Sequence, residues 1–386
     1  MTIRPCIVCQ HAQSTEVFNK PYHLTGLGEV ALCITVCDNC GAVYQNPLPD
    51  QQKIRKTYSE MSNYTNPGRD GKPSATKVAA LDRQLAYLSK FMSPKGRAFQ
   101  VGCSDGYTLH RFQQAGWKVD GIDPSSRAIA LAKSQYSLAL NKGFIEDFNS
   151  KDAQYDLIIL THVLEHFVDP KAVLLKCLEM LKDGGHIFIE VPSLIDQESW
   201  PTSYFTFEHL SYFSPLSMIN LMKACGIEPL GPVVTDLTEK DPYPIQMCHG
   251  RKGKISPLIE KDQQALSMCQ AYVNRDKARW QDINHKIDIG TAEAKNIAIW
   301  GGGVHTAQLL EETTLLEHFA PITIVDSDPQ KWGKSLYDIT IVAPSTLILE
   351  DPELAIVISS FVFEQEIKQT LEANHNLHAS IVTLYS

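Results

Sequence analysis

The sequence predicts an α/β protein in three parts: a small cysteine-bearing N-terminal domain, a Rossmann-like middle domain, and a smaller Rossmann-like α/β domain at the C-terminal end. Three observations carry this reading. Five of the ten cysteines crowd into the first 40 residues. Two glycine loops, beginning at Gly102 and Gly301, each stand between a strand-length apolar run and a helical one. Around both loops, strand and helix patterns alternate at the spacing that builds a parallel sheet covered by helices. A chain of 386 residues has room for two or three such domains.

Composition narrows the class of protein. Hydrophobic residues make up 44% and charged residues 20%, enough apolar material for real cores and against wholesale disorder. The net charge of −9 argues against a general nucleic-acid binder, which needs basic surface. Apolar runs such as Leu157–Leu164 and Ala355–Phe363 have strand length and fall short of the roughly 20 residues that span a membrane. The start, Met1 to Pro5, lacks the apolar core of a signal peptide, so a cytoplasmic location is expected.

The N-terminal part, residues 1–70, reads as short and irregular apart from its cysteines. Cys6-x-x-Cys9 and Cys37-x-x-Cys40 are paired knuckles with 27 residues between them. Four thiolates suit a closed, tetrahedral, structural Zn2+ site, and Gly41 supplies the turn residue after the second knuckle. Cys33, His11 and His23 are read as non-ligands, and the remaining cysteines as core thiols. Asn46-Pro47-Leu48-Pro49 stops regular structure, and the polar stretch 63–74 reads as a linker.

Residues 71–250 form the middle domain. Val78, Leu81, Leu85 and Leu88 set a helix over Ala75–Phe91. Then follow strand Ala98–Val101, helix Tyr107–Ala115, strand Lys118–Ile122, helix Arg127–Gln135, strand Tyr155–Leu160, helix Ala172–Leu181, strand His186–Val191 and helix Pro215–Ala224. The loop Gly102-Cys103-Ser104-Asp105-Gly106 opens a helix, where backbone can approach a ligand and free N–H groups point outward. Asp123, 21 residues after Gly102, ends the second strand, where an acid can accept ribose hydroxyls. Glu146 and Asp147 fall near the end of a third strand, within reach of an adenine amino group.

This ordered set resembles the class I S-adenosylmethionine-dependent methyltransferases over about residues 95–235. The matching stretches are Val101–Gly106, Gly121–Ser125, and Asp156 through Thr161-His162-Val163-Leu164-Glu165-His166-Phe167. The resemblance implies S-adenosyl-L-methionine as cofactor, held by Gln100, Gly102, Ser104, Gly106, Asp123, Pro124, Glu146, Asp147 and His162. Gln100 and Ser104 depart from the family's acid and second glycine, which implies weaker cofactor binding. A hydride-transfer Rossmann enzyme is the competing reading. It needs glycines at 102, 104 and 107, where this chain has Gly, Ser and Tyr.

Two histidine-bearing segments fall at the carboxyl ends of strands, where open α/β sheets bind ligands. One is His162 to His166, whose imidazoles would share a face one helical turn apart. The other is Glu208-His209-Leu210-Ser211-Tyr212. A histidine oriented by a carboxylate suits proton removal next to a carbonyl, or from a hydroxyl.

Along nearly its whole length the chain resembles the nucleotide-sugar C-methyltransferases, through Cys37–Gly41, Asn46–Pro49, Asn63-Tyr64, His166–Pro170 and Glu208–Ser214. That resemblance implies methylation of a ketodeoxysugar on a nucleoside diphosphate, with Glu208, His209, His166 and Tyr64 lining the sugar site. Tyr212 is a further candidate. One family tyrosine falls at Thr206, which cannot act as a phenol. An O-methyltransferase and a non-catalytic binding module are the alternatives.

Residues 251–386 complete the chain. Helical spacing over 251–292 precedes strands Ile297–Trp300, Ile322–Val325, Ala355–Ile358 and Ile381–Leu384 and a helix Glu364–Leu371. Asp326 follows Gly301 by 25 residues. This second loop reads either as a grip for a substrate diphosphate, with His305 a weaker phosphate partner than a lysine, or as a domain-packing turn that holds no ligand.

Overall fold

The structure is a computed structural model, and it describes residues 3–24, 28–50, 52, 55, 73–92, 96–149, 154–236, 243–253, 255, 258–361 and 363–386. The expected sugar-site residue Tyr64 lies outside them. By packing, the chain forms two compact units. The first comprises residues 1–17, 33–200 and 207–269, and the second residues 18–32, 201–206 and 270–386. The cysteine segment and the middle βα region, separate by motif, thus share one unit.

The N-terminal part is not irregular. It holds strands β1 (Ser14–Leu24), β2 (Gly28–Cys37) and β3 (Val43–Gln45), through the first two of which the unit boundary runs. Cross-strand packing of β-branched and aromatic residues such as Ile34, Thr35, Val36 and Tyr44 explains the β2–β3 pair.

The main sheet of the first unit is built on β4 (Arg97–Val101), β5 (Lys118–Asp123), β6 (Asn141–Lys142), β7 (Tyr155–Thr161) and β8 (Leu181–Pro192). Spatial order is β6-β5-β4-β7-β8, all parallel. The strand β9 (Ser211–Tyr212) pairs with β3 instead. Beyond β8 lie β10 (Ile227–Pro229), β11 (Val234–Asp236) and β12 (Ile245–Lys252); β12 runs antiparallel to β8 and carries β10 and β11. The sequence pattern did not disclose β12, because its run Ile245-Gln-Met-Cys-His-Gly mixes polar residues into a buried strand.

Helices α1 (Ala75–Leu88), α2 (Tyr107–Gln114), α3 (Ser126–Tyr136), α4 (Pro170–Met180) and α5 (Pro215–Ala224) follow the expected spans within a few residues. Four of the starts are fixed by side-chain caps, α2 beginning instead at Gly106: Ser74, Ser125, Asp169 and Ser214 each accept from a backbone N–H in the first turn, and Pro170 and Pro215 occupy positions that need no N–H. The core lies on both faces of β7, where Leu157, Ile158, Ile159 and Leu160 are fully buried.

The second unit has its own sheet, β13 (Asn296–Trp300), β14 (Ile322–Val325), β15 (Ser335–Leu336), β16 (Ile339–Val342), β17 (Leu354–Ile358) and β18 (Ser380–Val382), in the order β15-β16-β14-β13-β17-β18. It is parallel except for the β15–β16 hairpin. The long helix α6 (Ala265–Gly290) and helix α7 (Val304–Glu312) belong largely or wholly to it. The second glycine loop satisfies itself: the Gly302 N–H and the Lys331 ammonium both donate to Asp326 Oδ2, each at 2.7 Å. His305 is turned onto the Ser359 and Tyr385 hydroxyls.

Two buried groups make the units respond to pH in opposite senses. In the second unit, burial pushes the Asp276 carboxyl up to about 6, with Glu312 adding to the effect. Its contribution is present below the unfolded carboxyl value and is lost as pH rises through 6. In the first unit, burial beside His186 pushes His249 down to about 4, so that stability is present above its unfolded value and is lost as pH falls toward 4. Asp276→Asn should therefore raise the thermal midpoint of the second unit's transition at pH 7.5 and leave it nearly unchanged at pH 4. An equal rise at both values contradicts this.

Candidate active site

The carboxyl ends of β4, β5 and β7 open onto a cavity of about 670 Å³ in the first unit, a volume typical of cofactor clefts. One wall is the loop after β4. Gly102 and Gly106 have left-handed backbone, and so does Ser104 at φ 48°, which costs a non-glycine residue about 1 kcal/mol. A Cβ on Gly102 would stand 2.9 Å from Val163 Cγ2, so the loop can approach the β7 end only as glycine. Gly106 has a different reason. A Cβ there would meet Ala132 at 2.8 Å, and Gly106 is not part of the cleft lining.

Asp123 ties the loop to the end of β5. Its Oδ2 accepts from the Ser104 N–H and its Oδ1 from the Ser125 N–H, both at 2.9 Å. Burial raises its carboxyl pKa, opposed by these two N–H donors. Gln100, Ser104, Asp123, Pro124 and Glu146 all line the cleft. Asp147 does not; its carboxylate is paired at the surface with Arg55 at 2.5 Å. Gln100 donates to Thr161 Oγ1 at 3.1 Å, while its Oε1 is buried without a hydrogen-bond partner among the described residues.

The far wall holds the histidines. His162 has φ 50° and lies outside any helix, and Leu164–His166 is one 3₁₀ turn. The expected α-helical face is therefore replaced by a bend and a tight turn, which still bring His162 and His166 to one cleft with His209. His166 Nδ1 lies 2.9 Å from the Glu208 carbonyl oxygen. A carbonyl can only accept, so Nδ1 carries a proton, and in the neutral ring Nε2 is the nitrogen able to accept one. The His166 and His209 rings stand edge to face at 5.0 Å. Burial, with His166 and His162 nearby, holds His209 well below the usual imidazole value and keeps it neutral at pH 7. Glu208 thus acts on His166 through its backbone and is not part of the cleft lining. Tyr212 is buried with its ring 5.8 Å from that of His209, behind the lining.

Glu165, His166 and His209 also place one donor atom each within 4.8 Å of the others, a spacing compatible with a divalent cation. The cysteine cluster fits a metal far more closely. The Sγ atoms of Cys6 and Cys40, and of Cys9 and Cys37, are 3.5 Å apart, against roughly 3.8 Å between thiolates around a tetrahedral zinc. Both knuckles make the same turn. Gln10 N–H donates to Cys6 O and Gly41 N–H to Cys37 O, and both Gln10 and Gly41 are left-handed. Cys33 donates instead to Glu16.

Residues outside the expected set complete the cleft. Lys77 lines it while gripping both Asp105 oxygens at 2.8 and 2.7 Å. Arg55, Cys103, Phe144, Glu165 and Tyr243 also line it. Arg4 and Gln45 hold the histidine-bearing loops from behind. The Arg4 guanidinium, pushed down to about 10 by burial, donates to the carbonyls of Gln45, Val168 and Leu210, the last two close in sequence to His166 and His209. Gln45 donates to the carbonyls of Phe207 and His209. An arginine four residues from the start and two before a cysteine gives no sequence signal of such a role.

A family model described as a methyltransferase domain matches residues 75–230. The ubiquinone biosynthesis O-methyltransferase of Marinobacter nauticus is 29% identical over 157 residues, covering 37% of this chain and 63% of that protein. Its counterpart from Coxiella burnetii is 29% identical over 150 residues, covering 36% and 63%. The chain thus spans less than two thirds of the length of these curated relatives. Among solved structures, a Burkholderia thailandensis 1,6-didemethyltoxoflavin-N1-methyltransferase is 16% identical with a TM-score of 0.44, covering 57% of this chain and 96% of that one. The magnesium protoporphyrin IX methyltransferase of Synechocystis PCC 6803 is 13% identical with a TM-score of 0.41, covering 52% and 100%. Among the described residues no helix is long and apolar enough to cross a membrane. Residues 75–230 thus match a methyltransferase domain and carry the strand order and glycine loop of a Rossmann-like methyltransferase fold.

Proposed function

We propose that the whole chain is an S-adenosylmethionine-dependent methyltransferase whose acceptor loses a proton to the histidine pair at the mouth of the cleft. The observation that carries this is the fixed tautomer of His166 beside a neutral His209, both lining the cavity that the Gly102 loop and Asp123 shape for the cofactor. The cofactor supplies an electrophilic methyl group on a sulfonium. The protein's own part is to position the acceptor in line with that methyl and to take up its proton. The acceptor favoured by the motif order is a nucleotide-linked ketodeoxysugar. His209 removes the proton on the carbon next to the carbonyl, and that carbon takes the methyl as the sulfur–methyl bond breaks.

A second reading is O-methylation. The O-methyltransferase function of the curated relatives supports it, and so does the depressed basicity of His209, which suits an O–H acceptor better than a carbon acid. Deuterium exchange separates the two. A thymidine-diphosphate 4-keto-deoxysugar incubated in D2O with S-adenosylhomocysteine should exchange next to its carbonyl, and His209→Ala should slow this about a hundredfold or more. Because burial holds the His209 conjugate acid well below its usual value, the acid limb of the wild-type rate should lie at lower pH than an ordinary imidazole gives. No exchange, with methyl recovered on oxygen, moves the assignment to the second reading.

The cysteine knuckles are proposed to hold one structural zinc, closed to substrate by its four thiolates. Elemental analysis should find about one zinc per chain in the wild type and none in a Cys6→Ser/Cys37→Ser variant. A metal-free wild type with unchanged fold contradicts it.

A further inference from the structure

Glu190 plays no part in the chemistry above, yet it is a fully buried acid in the middle of an apolar strand. Its neighbours on β8, Ile187, Phe188, Ile189 and Val191, are likewise fully buried. A lone carboxylate in such a place is costly unless other groups hold it. Gln84 of α1 donates to its Oε1 at 2.8 Å, and His162 Nε2 stands 3.2 Å from the same oxygen. Arg83 approaches Oε2 only to 3.6 Å, beyond a hydrogen bond. The Glu190 carbonyl also accepts from the His162 N–H at 2.8 Å, which fixes that residue in its left-handed conformation.

A second acid lies on the other side of the same ring. Glu165 is 2% exposed, its Oε1 is 3.9 Å from His162 Nδ1, and its Oε2 has no hydrogen-bond partner among the described residues. Two buried carboxylates therefore bracket a cleft-lining imidazole, with Arg83 as the cation beside them. Among the described cations that line the cleft, Lys77 is engaged by Asp105 and Arg55 by Asp147. Among the described residues at this wall, the charged forms of Glu165, Glu190 and Arg83 sum to one net negative charge, in surroundings where water screens poorly.

We propose that Glu190 is a specificity-determining residue that makes the cleft prefer the sulfonium form of the cofactor over its demethylated product. The inference rests on the S-adenosylmethionine reading above. The two ligands have nearly the same shape and differ by one methyl group and one positive charge, so a buried negative charge discriminates them where shape cannot. It acts through His162, which it both orients and polarises, and its effect is to speed exchange of spent product for fresh cofactor.

Isothermal titration of the full-length, zinc-loaded chain with S-adenosylmethionine and with S-adenosylhomocysteine tests this. Glu190→Gln keeps the size and an acceptor oxygen but removes the charge. It should weaken S-adenosylmethionine about fivefold to tenfold and leave S-adenosylhomocysteine within about twofold. Arg83→Gln should move the ratio the other way, and it serves as the second variant if Glu190→Gln folds poorly. Parallel changes for both ligands, or no change, overturn this inference alone. A wild-type chain that binds neither ligand overturns the cofactor reading as well.

Discussion

The grip of Asp123 on two backbone N–H groups is the constraint on which the rest of the cleft depends. By holding Ser104 and Ser125 it joins the loop after β4 to the start of α3, across the ends of adjacent parallel strands. Parallel strands deliver all their loops to one end of a sheet, and a ligand can enter there only if the loops are held apart. The glycine at 102 lets the loop lean against Val163, and the Asp123 carboxylate stops it from falling further in. Ser104 pays for a left-handed backbone with the hydrogen bond that this conformation allows it to give.

A second chain of interactions runs from the cysteine knuckles to the histidines. Arg4 sits two residues before Cys6, and its guanidinium bridges carbonyls that flank His166 and His209. Gln45, at the end of β3, holds the His209 carbonyl directly. A metal bound at the knuckles, as proposed above, would fix the backbone from which Arg4 and Gln45 reach, and these hold the loops that carry the proposed base. The N-terminal segment would then serve positioning rather than chemistry, since a four-thiolate set leaves no open coordination place.

Much of this architecture was legible because its signals are local. Strand-length apolar runs, Ser and Asp caps, and glycines at loop starts put α1 to α5, β4, β5, β7 and β8 within a few residues of their observed spans. The paired knuckles converged as their spacing required. Other features depend on residues far apart in sequence. The strand β1 carries mixed polar sequence and the apolar run of β2 ends in the second cysteine knuckle, so neither stands out as a strand, and β12 is buried only because β8 lies beside it. His162 and His166 share a cleft for a different reason from the helical one their spacing offered. Lys77 and Arg4 gave no pattern at all. Glu190 did leave a sign, an acid inside the run Ile187-Phe188-Ile189-Glu190-Val191, where burial without function is expensive.

The central claim is that the cleft bounded by the Gly102 loop, Asp123 and His162 holds S-adenosylmethionine. Its most direct test is calorimetric titration of the cofactor into the wild-type chain and into Asp123→Ala. The account predicts one site per wild-type chain, weakened at least tenfold in the variant while the thermal midpoint shows both units still folded. Equal affinity in the two proteins would contradict it.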